Sequence, residues 1–87
     1  FSLSQNYPNP FNPTTKIRFD ISGSSAAQTS LSVYDLLGRE VAALVNEELK
    51  PGTYEVNWDA SNFPGGVYFY RISAGSFSET RKMILIK

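Results

Sequence analysis

Apolar and polar side chains alternate with a period of two along most of this chain, the pattern of strands with one buried and one wet face. In TKIRFDI, the apolar Ile17, Phe19 and Ile21 alternate with Lys16, Arg18 and Asp20. TSLSVYD repeats the pattern with Leu31 and Val33 against Ser30 and Ser32. GTYEVNW does so with Tyr54, Val56 and Trp58 against Glu55 and Asn57. GGVYFYRIS is apolar on both faces, as a central strand covered twice would be. Arg71 shares its face with Val67 and Phe69, which then meet a second cover or a partner, while Tyr68, Tyr70 and Ile72 point inward. The closing TRKMILIK sets Met83 to Ile86, all apolar, between Lys82 and Lys87, and periodicity leaves its inner face open.

Turn chemistry separates these segments. DLLG, Asp35 to Gly38, suits a type I turn closed by a glycine with positive φ. KPGT suits a type II turn, with Pro51 presetting the first central residue and Gly52 tolerating the left-handed second. FPGGV and SAGS mark two further reversals, and a spacing of roughly 8–12 residues between turns predicts a β-sandwich. Residues 39–49 are ambiguous from pattern alone. Val41, Leu44, Val45 and Leu49 fall at helical spacing among good helix formers. Read as a strand, the segment would use Val41, Ala43 and Val45 and pair back on SLSVYD across Gly38, which the short loop favours.

The opening QNYPNPFNPTT does neither. Pro8, Pro10 and Pro13 cannot donate ladder hydrogen bonds and push the residues before them toward extended conformations. A strap lying on the sheets would use Tyr7 and Phe11 as anchors and the asparagines to satisfy local backbone groups, and its prolines lower the cost of ordering it. Pro10 and Pro13 also match P-x-x-P, but the match is short and stands alone. The middle proline of Asn12-Pro13-Thr14 rules out glycosylation there.

Composition narrows the chemistry. At 87 residues the chain is one domain that hides only about 60–65% of the surface its unfolded form exposes. There is no cysteine for a disulfide or thiolate site and no histidine to act as base or metal ligand. Aromatics make up 14% of the chain, so packing must supply the stability. Eight basic residues balance eight acidic ones, which argues against nucleic acid as a partner. No apolar run approaches the ~18 residues of a membrane span, and a chain opening at Phe1 reads as a piece of a longer protein.

Candidate sites are few. Asp59, Ser61 and Asn62 faintly suggest a calcium loop, but its ligand spacing, central glycine and distal glutamate are missing, and an Asx turn explains the same residues. Asp20, Asp35, Glu40, Glu55 and Asp59 could be paired as glycosidase carboxylates, yet each sits where a wet face or a turn accounts for it. No cofactor is expected. One non-catalytic reading is an accessory carbohydrate-binding or adhesion module of a secreted enzyme. It would stack sugars on Tyr34, Trp58, Tyr68 or Tyr70 if those rings lay coplanar on an exposed face.

QNYPNPFNPTTKIRF, VYDLLGREV, GTYEVNWDASNFPGGVYFYRI and the terminal RKMILIK, in this order, resemble the C-terminal sorting domain of the type IX (Por) secretion system, type A. The resemblance covers nearly the whole chain. It departs at Ala60, where glycine is usual, and at SGSSAAQ, which replaces a proline-containing connection. It implies an all-β, immunoglobulin-like antiparallel β-sandwich of six or seven strands, with residues 39–49 as a strand. Residues 1–87 would form a single sorting domain. Residues 1–14 are then the proline- and asparagine-rich strap by which the chain enters it, and 15–87 the sandwich. The structural motif would comprise Asn6, Tyr7, Pro8, Asn9, Pro10, Phe11, Asn12, Pro13, Gly38, Gly52, Trp58, Asp59 and Gly66.

By the same resemblance the domain is no enzyme. It directs a preceding cargo through the periplasm and the type IX outer-membrane translocon, a sortase-like protease removes it, and the cargo is released or held at the cell surface. Partner recognition would fall on Lys82, Met83, Ile84, Leu85, Ile86 and Lys87, a strand that could add to a partner sheet by backbone pairing.

Overall fold

The computed structural model describes all 87 residues, and they form seven strands with no helix. These are β1 (Ser2–Leu3), β2 (Thr14–Ile21), β3 (Ala27–Tyr34), β4 (Glu40–Leu49), β5 (Gly52–Asp59), β6 (Gly66–Ala74) and β7 (Phe77–Leu85). Every ladder is antiparallel. The strands build a three-stranded sheet, β1-β2-β5, and a four-stranded sheet, β4-β3-β6-β7. This is the expected immunoglobulin-like sandwich, with its upper count of strands. In the constant-type arrangement the fourth strand completes the sheet of the first, second and fifth. Here β4 lies beside β3 in the other sheet.

The period-two segments supply the core as their patterns require. Thr15, Ile17, Phe19 and Ile21 of β2 are buried while Thr14, Lys16 and Arg18 are exposed. Across the sandwich, β3 and β6 place Thr29 opposite Ala74, Leu31 opposite Ile72 and Val33 opposite Tyr70, and all six side chains are buried. β7 adds Met83 and Leu85. Burying each such aliphatic or aromatic side chain is worth about 1.5–3 kcal/mol, the main favourable term available to a domain without staples.

The ambiguous segment is a strand, and its register explains the ambiguity. β4 pairs with β3 through two irregularities, at Leu31/Ser32 and at Val33/Tyr34, each of which sets an extra β4 residue against the ladder. A bulge lets neighbouring residues share a face. Val41 with Ala42, and Leu44 with Val45, are therefore all at least half-buried, while Ala43 is exposed. The expected inward set of Val41, Ala43 and Val45 is corrected at Ala43. The spacing that results, two in and one out, is the one that imitates a helix. The bulges also twist an edge strand away from further pairing.

DLLG forms the expected turn, with Gly38 N–H donating to Asp35 O at 2.9 Å and Gly38 at φ +85°. SAGS is a two-residue hairpin, Ala74 facing Phe77 across Gly75 at φ +58°. KPGT is not the type II turn its residues suggested. β4 and β5 lie in different sheets, so Lys50 and Pro51 cross between layers, and Gly52 has φ +155° where a type II turn needs about +80°.

Candidate recognition surface

The last strand alternates strictly near its end. Met83 and Leu85 point into the core, whereas Ile84 and Ile86 are 38% and 50% exposed and Lys82 and Lys87 are open to solvent. The register of β7 on β6 sets this order, pairing Phe69 with Lys82, Tyr68 with Met83 and Val67 with Ile84. The four outward side chains and the two inward ones thus separate cleanly within KMILIK.

β7 ends the four-stranded sheet, but its outer edge is not open here. Gln5 Nε2 donates to Lys82 O at 2.8 Å, and the Ile84 N–H donates to Asn9 Oδ1 at 3.0 Å. The Phe11 N–H donates to Ile84 O at 3.0 Å, and the Ile86 N–H donates to Phe11 O at 2.8 Å, a parallel bridge. The expectation that this segment could recruit a partner by backbone pairing is therefore corrected. The chain's own residues 5–11 already satisfy the groups a partner strand would use.

That N-terminal segment begins on the other sheet. Ser2 and Leu3 pair with Asp20 and Phe19 of β2, Tyr7 forms an antiparallel bridge with Lys16, and by Phe11 the chain has crossed to β7. Phe11 is buried, its ring 5.8 Å from that of Trp58. Tyr7 is 80% exposed and is no anchor. Its bridge to Lys16 puts it on the same wet face as Lys16, because directly paired residues share a face.

The asparagines do what the prolines cannot. Asn6 is buried, and its Nδ2 donates to Pro8 O at 3.1 Å and to Thr15 Oγ1 at 3.0 Å. The Thr15 hydroxyl in turn donates to Pro8 O at 2.9 Å. Tyr70 reaches the same cluster from β6, accepting from the Asn6 N–H at 2.8 Å and donating to Ser4 O at 2.7 Å. Burial raises the Tyr70 pKa despite the hydrogen bond from Asn6. No buried side-chain polar atom in the molecule lacks a partner.

The remaining motif residues are placed as follows. Pro10 and Asn12 are exposed, and Pro13 O accepts from the Ala60 N–H at 2.9 Å. Trp58 is buried among Phe11, Phe63 and Tyr68. Asp59 Oδ1 accepts from the Ser61 N–H at 3.0 Å and from the Ser61 hydroxyl, an Asx turn that lowers its pKa. Gly66, at φ +148°, opens β6 opposite Leu85. Lys87 Nζ donates to Ser61 O at 2.7 Å and so ties the terminus to the loop after β5.

Of the rings a sugar platform would need, Trp58, Tyr68 and Tyr70 are buried and Tyr34 is half-buried. Trp58, Tyr68 and Tyr70 are packing, and Tyr34 by itself on the outer face makes no coplanar platform. Sequence reasoning missed Gln5, Thr15 and the Tyr70 hydroxyl, which no short-range pattern connects to the tail. It also passed over Leu36 and Leu37, 68% and 79% exposed at the centre of the DLLG turn, whose signal was two leucines where a turn needs none.

The sequence profile of the secretion system C-terminal sorting domain matches residues 5–87. The chain belongs to that family. It is a sorting domain of type IX secretion, and its export role fits a fold in which the polar chemistry is spent on holding the N-terminal segment and the tail together. Among curated proteins there is no match. In this sorting domain the match begins at Gln5, whose side chain donates to Lys82 O of β7.

Proposed function

We propose that this sorting domain acts on a cargo joined ahead of it, that the type IX translocon reads the outward residues of its tail, and that the domain does no chemistry itself. The observation that carries this is the division within 82–87. Lys82, Ile84, Ile86 and Lys87 face solvent although Met83 and Leu85 alone would suffice to seal the core. The tail is thus read as a displayed face of a folded strand, by side chains and not by an added ladder. Removal by a sortase-like protease, passage through the periplasm and outer membrane, and release or surface attachment of the cargo complete the reading.

The carboxylates support a non-catalytic role. Asp20, held by hydrogen bonds from Ser2 and Thr53, Asp35, held by the Arg39 backbone and side chain, and Asp59, held by Ser61, all have lowered pKa values. A general acid at neutral pH needs the opposite shift.

The test fuses residues 1–87 to a periplasmic reporter in a host with type IX secretion, and compares it with a fusion carrying Ile84→Ser and Ile86→Ser. The intact fusion is expected outside the cell and the double variant in the periplasm. Equal export of both, or retention of both, would remove the basis for this assignment. Deleting 82–87 is a poorer test because it also takes Met83 and Leu85 from the core.

A further inference from the structure

We infer that the tail is one part of a composite docking face, and that its occupant is a folded protein of the secretion machinery bearing an apolar pocket with carboxylates on one rim. This rests on the sorting reading above and extends the recognition site beyond the last six residues. The face is the solvent side of the four-stranded sheet at the end where β6 begins. Leu36 and Leu37 from the β3–β4 turn, Val67 and Phe69 from β6, and Lys82 and Ile84 from β7 converge there.

Three facts carry it. First, Leu36 and Leu37 contribute nothing to the turn they occupy. Asp35 Oδ1 accepts from the Leu37 and Arg39 backbone N–H groups, each at 3.0 Å, and Gly38 supplies the positive φ, so polar residues would serve equally at both central positions. Their exposure, 68% and 79%, is a standing solvation cost with no return in the folded chain. Second, the turn does not stand apart. With Pro64 and Val67 it walls a groove of about 270 Å³, and Val67 at the groove's edge is the cross-strand partner of Ile84. Tyr34, Phe69 and Lys82 form the next row of the same face, Tyr34 opposite Phe69 and Phe69 opposite Lys82.

Third, charge gives the face a direction. On the opposite sheet the exposed cations are matched, Lys16 and Arg18 both lying within 3.7 Å of Glu55. On this face Lys82 and Arg71 have no carboxylate within ion-pair distance, and they flank the apolar rows on the β6–β7 side. Of the acids at this end, Asp35 in the groove wall is paired with Arg39 at 2.8 Å, and Glu40 lies opposite Tyr34 at the β4 margin. A partner with carboxylates above β7 and none above Glu40 is oriented by this asymmetry, while the leucines and Ile84 supply the desolvated centre. A second copy of the chain, turned so that Lys82 lies over Glu40, is the competing occupant, and the test below separates the two.

The test uses the reporter fusion with three changes, each also made in the purified 87-residue chain to follow its thermal unfolding. Leu36→Ser with Leu37→Ser, and separately Lys82→Glu, are expected to leave the melting temperature within a few degrees and to cut export at least about tenfold, a loss of ~1.4 kcal/mol or more in recognition. Lys16→Ser, on the other sheet, is expected to export normally. Export of the leucine and Lys82 variants at the intact level, with the intact fusion exported, overturns the composite face and leaves the sorting reading standing. Retention of the intact fusion overturns both. A concentration-dependent dimer in sedimentation, abolished by the leucine changes while export persists, makes a second copy the occupant and also overturns the proposal.

Discussion

The hydroxyl of Tyr70, on a fully buried side chain, accepts a 2.8 Å hydrogen bond from the backbone N–H of Asn6, a residue 64 positions earlier. The same oxygen donates to Ser4 O at 2.7 Å, so one phenol fixes the N-terminal segment to the centre of the four-stranded sheet. A buried donor left without a partner costs more than a hydrogen bond gains.

Tyr70→Phe keeps the ring and removes only that oxygen, leaving the Asn6 N–H and Ser4 O unpaired. It is expected to cost about 1–3 kcal/mol in urea unfolding. Tyr54→Phe removes an exposed hydroxyl that donates to Lys50 O, and is expected to cost less than about 0.5 kcal/mol. Equal stabilities for the two variants would show that the Asn6 contact is not what holds the segment.

Gly65 tests how closely the tail is fitted. A Cβ there would lie 3.2 Å from Leu85 O and 3.3 Å from Lys87 Cγ, and its φ is not in the left-handed region, so any penalty is steric. The lysine stem can move but the strand carbonyl cannot without loosening β7. Gly65→Ala is expected to cost about 1 kcal/mol and to speed amide exchange of Ile86, whose N–H rests on Phe11 O. Unchanged exchange at Ile86 would mean that the tail accommodates the methyl group freely.

The sandwich was legible wherever one face is wet, because Lys16, Arg18 and Asp20 leave no other home for Ile17, Phe19 and Ile21. β4 was ambiguous for a physical reason. Its two bulges give a strand the burial order of a helix, and a bulge is set by the neighbouring strand, not by the segment's own composition. Pro51-Gly52 signalled a change of direction but not whether the chain returns to its own sheet or crosses to the other. The closed edge of β7 was illegible altogether. It depends on Gln5 and Asn9 meeting Lys82 and Ile84 across 77 and 75 residues, and asparagine beside proline looks the same whether it caps its own turn or a distant strand.

The pH dependence of stability follows from shifts in opposite directions. Asp20, Asp35 and Asp59 are lowered by hydrogen bonds from Ser2, the Arg39 backbone and Ser61 respectively. Groups depressed on folding contribute stability above the unfolded value, near 3.8, and lose it as pH falls through the folded values. Burial raises Tyr68 and Tyr70 above the ordinary tyrosine value of 10.0, so their share is complete below that pH and is lost as pH rises through the folded values. With no histidine to titrate between these limits, urea midpoints are expected to be level from about pH 5 to 9 and to fall on either side. Asp35→Asn should shallow the acid limb. A pronounced slope between pH 6 and 8 would contradict this assignment of the groups.

Met83 and Ile84 are adjacent, similar in size and opposite in environment, which makes them the sharpest comparison in the tail. Met83 has no exposed surface and closes the core across from Tyr68, so Met83→Ala is expected to cost about 2–5 kcal/mol through lost contacts and a residual cavity. Ile84 is 38% exposed on the outer face, and Ile84→Ala should cost about 1 kcal/mol or less. Export should rank them differently. Met83→Ala fails only as far as the domain unfolds, so lowering the growth temperature should restore it, whereas Ile84→Ser remains defective at any temperature at which the domain is folded. If cooling rescues both alike, the tail matters only as part of the core. If it rescues neither, Met83 is read by the partner too, and the strand must peel from the sandwich to be recognised.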